Sequence, residues 1–124
     1  LCKKYNSLFH SDTVQSVGHF ELDFSDIPID FAAVSAHKFH GPKGVGFAFI
    51  RKNSGLKPLI IGGEQERGLR AGTEAVYAIA GLTKALEISY KDLEKESNYR
   101  TDIKNYFKER LLQEIPKQDN LLIC

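Results

Sequence analysis

The stretch VSAHKFHGPKGVG (residues 34–46) sets Lys38 between two histidines, directly after a short apolar run and directly before a turn rich in glycine and proline. The apolar run FAAVS (residues 31–35) has the length and side chains of a buried strand, so it predicts one that ends just before the lysine. Gly41 and Pro42 predict a tight turn, and VGFAFIR (residues 45–51) predicts the next strand. A titratable amine at the end of a buried strand is costly, and that cost calls for a chemical reason.

Bulk composition bounds what the reason can be. With 42% hydrophobic and 27% charged residues, the chain has the make-up of a folded globular protein rather than a disordered or membrane one. Its 124 residues suffice for one ordinary domain. Seventeen basic and sixteen acidic residues leave a net charge of +1, which gives no electrostatic footprint for nucleic acid or for an anionic membrane. The apolar runs are far too short to span a bilayer. Cys2 and Cys124 lie at opposite ends without CxxC spacing, so neither a disulfide framework nor a zinc site is expected, and a reducing cytoplasm is. The opening residues read as the tail of a helix and the closing NLLIC as the start of a strand, so the chain is expected to be a piece of a longer protein.

Along the chain, SLFHS (residues 7–11) predicts a further buried strand, and Asp12 can cap a short helix running to Val17. Residues 20–29, with Pro28 and several acids, predict irregular structure, and residues 59–61 a fourth strand. After Gly72 the period changes. Ile79, Leu82, Leu86 and Leu93 recur at helical spacing, as do Ile103, Phe107, Leu111 and Ile115, with Pro116 as a stop. These spacings predict one long kinked helix or two successive ones. Short strands alternating with helices favour an α/β layered fold, in which chemistry gathers at the carboxyl ends of strands. Asp12 and Lys38 both fall at such ends.

A lysine that forms a Schiff base must be partly desolvated so that its neutral amine is available, and a strand end pinned by Gly41-Pro42 offers that setting. Most lysines are simply surface groups, so position alone decides little. Pyridoxal phosphate is the commonest partner of such a lysine, and it needs an acid at its pyridine nitrogen. Asp12 suits that role as well as it suits a helix cap. His37 and His40 form an HxxH pair, yet no third ligand accompanies them, so no metal is expected. The spacing in GPKGVG is neither GxGxxG nor that of a Walker loop, which leaves a tight turn as its reading. His10 and His19 are expected to be packing or surface residues.

Taken in order and with their spacing, HSDTVQ (residues 10–15), SAHKFHGPKGVGF (residues 35–47) and GGEQERGLRAGT (residues 62–73) resemble three successive motifs of the cysteine desulfurases. These are class V pyridoxal-phosphate enzymes of fold-type I, and the resemblance covers nearly the whole chain. It implies that Lys38 carries the cofactor, that Asp12 pairs with its pyridine nitrogen and that Gln15 bonds its phenolic oxygen. By the same resemblance Ser35 and His37 bind the cofactor phosphate, and Thr73 reaches across a homodimer interface to the partner's phosphate. Arg67 and Arg70 fall in a block that the family uses mainly at that interface. Residues 1–92 would belong to the large cofactor-binding domain and residues 93–124 would begin the small C-terminal domain.

The implied parent is a cytoplasmic transferase that converts L-cysteine to L-alanine and passes the sulfur, as a persulfide, to an acceptor or iron–sulfur scaffold protein. Its product would serve iron–sulfur cluster or thio-cofactor assembly, with no membrane and no direct nucleic-acid partner. Rival readings are a class V aminotransferase or selenocysteine lyase, and a non-catalytic dimerisation or scaffold domain. The family's nucleophilic cysteine lies on a small, Ser/Gly-rich loop, which neither Cys2 nor Cys124 matches. Its substrate-carboxylate arginine, its upstream phosphate loop and the histidine that stacks on the cofactor have no counterpart here either. The 124 residues by themselves are therefore expected to release neither alanine nor sulfide from L-cysteine. Turnover by the isolated chain would contradict this.

Overall fold

The computed structural model describes residues 1–115. The chain divides into two compact units, Leu1–Lys91 and a second that begins at Asp92. In the first unit, β1 (His10–Asp12), β2 (Phe31–Ser35) and β3 (Gly46–Ile50) form one sheet with β2 in the centre. β1 runs parallel to β2, with Asp12 opposite Ala33, whereas β3 runs antiparallel, with Gly46 opposite Ser35. Helix α1 (Val76–Lys91) follows, and the α/β class expected from the alternation is the class observed.

Between the strands, a tight 3-10 turn over Ala36–Phe39 carries His37 and Lys38. It closes through His40, which sits in the left-handed region at φ 66°, and through the Gly41 N–H, which donates to the Ala36 carbonyl at 2.9 Å. A Cβ on Gly46 would come within 2.2 Å of the Val34 carbonyl oxygen, so β3 approaches β2 here only because the residue has no side chain. This assigns one glycine of GPKGVG a strand-packing role rather than a turn role.

The core lies on one side of this turn. Val17, Val34, Ala36, Phe39 and Leu82 form a single buried cluster, with Phe39 only 1% exposed. On α1, Ala78 and Leu82 are buried, and Ala85 and Leu86 continue the same stripe at helical spacing. Ile79, expected on that stripe, lies outside it and is exposed.

Three local expectations need correction. The first strand starts at His10 rather than at residue 7, because the Phe9 N–H donates to the Asp30 carboxylate at 2.8 Å instead of entering the ladder. Residues 12–17 form a turn, not a helix: the Asp12 carboxylate accepts the Val14 N–H at 2.9 Å, and the Thr13 carbonyl accepts from both Ser16 and Val17. Residues 59–61 are not a strand. Pro58 has no N–H to give a ladder, and Leu59 and Ile61 stand 94% and 86% exposed.

The irregular residues 20–29 are held by one side chain. Arg51, just past β3, donates from Nε to the Ile29 carbonyl at 2.6 Å. Its Nη2 donates to the carbonyls of Phe24 and Ile27 at 2.9 and 2.8 Å. A planar guanidinium can serve three carbonyls at once, and a lysine ammonium cannot reproduce that fork.

The second unit holds α2 (Leu93–Glu114), separated from α1 by Asp92. The two-helix alternative is thus the one realised. No side chain of α2 is buried, and Ile103 and Phe107 lie exposed along one stripe. Ile115 turns to extended dihedrals, φ −101° and ψ 118°, as steric pressure from a following proline requires. Pro116 itself, NLLIC and Cys124 lie outside the described residues. Substituting Arg51→Lys should lower the stability of the first unit by about 1–3 kcal/mol, since carbonyls would lose charge-assisted donors. Equilibrium urea unfolding measures the loss, and an unchanged midpoint would show that the fork is dispensable.

Candidate functional site

Because β1 and β2 are parallel, their carboxyl ends lie on the same edge of the sheet. Asp12 ends β1 and Ser35 ends β2, so the residues after each strand emerge side by side. From β1 come Asp12 and Gln15, both exposed; from β2 come half-buried Ser35, exposed His37 and half-buried Lys38. Five of the six residues singled out in the sequence thus belong to one edge.

Thr13 fixes the relation between the two strand ends. It is buried, at 8% exposure, and its N–H and its hydroxyl both donate to the Ala33 carbonyl, each at 3.0 Å. The parallel ladder is thereby carried one residue past Asp12. Asp12 itself spends one carboxylate oxygen on the Val14 N–H and keeps the other free of intramolecular bonds among the described residues.

On the β2 side, Ser35 Oγ and His37 Nδ1 are hydrogen-bonded at 2.8 Å, which fixes the imidazole beside the hydroxyl. Neither the Lys38 ammonium nor the Gln15 amide has a hydrogen bond or ion pair among the described residues. Lys38 does have a backbone partner that the sequence did not reveal: His19 Nε2 lies 3.0 Å from its carbonyl oxygen. His19 was expected to be a packing or surface residue, and no motif spacing marks it. The contact arises only when the turn after β1 folds against the turn after β2.

Thr73 does not come from either of these strand ends. It is exposed, in the irregular segment between Gly72 and α1, with no intramolecular bond among the described residues. Ahead of it the chain folds on itself. Glu66 and Arg67 take left-handed dihedrals, φ 49° and 59°, within the turn Gln65–Gly68. The Gly72 N–H donates to the Gln65 side-chain carbonyl at 3.1 Å, and Arg70 donates to the Ala71 carbonyl at 2.7 Å.

The first cysteine faces elsewhere. Cys2, half-buried, lines a cleft of about 510 Å³ with Pro28, Asp30 and Arg51. Asp30 precedes β2 and Arg51 follows the antiparallel β3, so this cleft is at the opposite edge of the sheet from Lys38. The five residues of β2 put roughly 15 Å between the two edges. Among the described residues no three His, Cys, Asp or Glu side chains group as metal ligands, and no helix is long and apolar enough to cross a membrane.

Comparison with known proteins gives a consistent result. The aminotransferase class-V family model matches residues 1–122. A cysteine desulfurase IscS from Dictyoglomus turgidum is 45% identical over 107 residues, which cover 86% of this chain and 27% of that protein. The chain thus spans about a quarter of the length of the curated relatives it matches. Among solved structures, a NifS-like protein superposes with a TM-score of 0.85 at 41% identity, over 90% of this chain and 31% of that one. The structure of SspA in complex with cysteine superposes with a TM-score of 0.66 at 43% identity, over 69% and 25% of the respective chains.

Thr13→Val should cost about 1 kcal/mol in chemical unfolding, the worth of one hydrogen bond to a carbonyl that keeps a second donor. Thr13→Ser should recover most of it. Equal stability of the valine variant and the wild type would remove the hydroxyl from the account.

Proposed function

The chain belongs to the aminotransferase class-V family, and from that premise we propose that it is the cofactor-holding part of a pyridoxal-phosphate-dependent cysteine desulfurase. Residues 1–92 would form part of the large domain and residues 93–124 the start of the small one. The observation that carries the reading is the shared edge: an acid, an amide, a hydroxyl, an imidazole and an amine emerge from the carboxyl ends of two parallel strands. The names of the relatives, and the cysteine complex among the structural neighbours, support L-cysteine as substrate.

The donor set suits pyridoxal phosphate. Asp12 keeps one carboxylate oxygen beyond its bond to Val14, enough to accept a ring N–H and hold that nitrogen protonated. Gln15 offers an amide donor for the phenolic oxygen. Ser35 and His37 offer a hydroxyl and an imidazole to the phosphate, oriented by their mutual bond. Thr73, exposed ahead of α1, offers its hydroxyl to the phosphate held by a second subunit of a homodimer. When bound, the cofactor supplies an electron sink for the Cα of an amino acid.

Lys38 would have two tasks in this scheme. Its Nζ would hold the cofactor, and the same amine, when not so engaged, would be placed to move the proton at the substrate Cα. Lys38 is half-buried and has no acidic partner among the described residues, so its Nζ is not held in an ion pair. Sulfur removal needs a thiolate to attack the substrate sulfur, with alanine as the other product. Cys2 is at the wrong edge of the sheet for that attack. The thiolate, and the arginine that holds the substrate carboxylate, would come from the rest of the full-length protein. The persulfide so formed would pass to an acceptor or iron–sulfur scaffold protein in the cytoplasm.

Adding pyridoxal phosphate to the full-length protein should produce a violet-region absorbance band that Lys38→Ala abolishes. Alanine release from L-cysteine should vanish with it. A wild-type protein that develops no band would overturn the proposal.

A further inference from the structure

The turn after β1 does more than present Asp12 and Gln15. It runs on through two linked reversals, with the Thr13 carbonyl accepting from Ser16 and Val17, and the Ser16 carbonyl accepting from His19 and Phe20. The far end of this segment, Gly18-His19, then meets the turn that carries Lys38. Gly18 has φ +79°, and a Cβ there would lie 2.7 Å from the Cβ of Phe39, so the bare backbone is seated against that buried side chain. One residue on, His19 Nε2 reaches the Lys38 carbonyl at 3.0 Å.

We propose that His19 is a positioning residue for Lys38: its imidazole ties the backbone of the cofactor-bearing lysine to the segment that carries Asp12 and Gln15. The inference rests on the reading of Lys38 given above. A carbonyl only accepts, so Nε2 must be the protonated nitrogen in this contact. In a tight turn of four residues the last carbonyls lack partners within the turn. The Phe39 carbonyl accepts from the Ser89 hydroxyl at 3.5 Å, and the Lys38 carbonyl finds His19. Gly18 and His19 therefore hold Phe39 by packing and Lys38 by a directional bond.

The consequence concerns distance. The ladder and Thr13 fix Asp12 relative to Ala33, but Lys38 lies five residues further along the chain from Ala33, past the end of β2. Without a second tie, rotation within the 3-10 turn would change the separation between the acid and the amine. His19 supplies that tie beyond the strand ends. Loss of a single bond near the reacting groups is enough to matter, because productive geometry tolerates only small displacements.

The test uses the full-length protein and pyridoxal phosphate itself as the probe. Borohydride reduction at a fixed, sub-saturating cofactor concentration fixes the cofactor on the lysine, and mass spectrometry of the Lys38 peptide reads the yield. His19→Ala should lower the apparent cofactor affinity measured this way by about fivefold, the effect of losing one neutral hydrogen bond. His19→Gln, whose amide nitrogen can stand where Nε2 stood, should recover most of it. His19→Asn, whose amide is one methylene too short, should not. Equal yields for wild type, alanine and asparagine variants would overturn the positioning role while leaving Lys38 as the anchor. Absence of labelled Lys38 in the wild type would overturn the underlying reading, and the inference with it. Should the alanine variant fail to fold, the glutamine–asparagine contrast decides the matter by itself.

Discussion

One carbonyl oxygen, that of Ala33, sets the geometry on which the candidate site depends. It accepts two hydrogens from Thr13, one from the backbone and one from the side chain. A three-residue parallel strand has few ladder bonds, and parallel pairing is the weaker kind per residue. Doubling the bond at its last position secures the end of β1 where that matters, next to Asp12. Burial of Thr13 strengthens the effect, since its hydroxyl is largely shielded from solvent.

From that point the molecule can be understood as two turns braced against each other over a small core. Phe39, wholly buried at the end of the Lys38 turn, packs with Val17 from the turn after β1 and with Leu82 from α1. The same side chain is met by the backbone of Gly18. Apolar contact thus brings the two turns together, and the His19–Lys38 bond gives the contact a direction. Arg51 acts in a similar way at the other edge of the sheet, where its guanidinium gathers three carbonyls from a segment with no regular structure. Hydrogen bonds from side chains to backbone do the work that longer strands would do elsewhere.

Much of this was legible in the chain. FAAVS and GFAFI are short, apolar and rich in strand-favouring residues, and both became strands within a residue of where their composition placed them. The helical period after Gly72 became α1 and α2. What misled was local chemistry that tertiary partners overrode. SLFHS looked like a strand until Asp30 took the Phe9 N–H, and Asp12 looked like a helix cap until Thr13 bent the chain into a turn. Residues 59–61 are apolar without being buried, because hydrophobicity alone cannot provide a ladder neighbour.

By itself the sequence determined the fold class and the chemical inventory, since strand length, helical period and the order of three motifs are properties of neighbouring residues. It also placed Asp12 at a strand end, as observed, whereas Lys38 stands three residues past the end of β2, in the turn that follows it. Only the tertiary structure decided that β1 and β2 are parallel, which puts both strand ends on one edge, and that Cys2 lies at the other. It alone revealed His19, whose partner is nineteen positions away and is a backbone carbonyl rather than a side chain. Every residue has such a carbonyl, so no spacing or residue type could have singled out this one; only the packing of Phe39 brings it within reach.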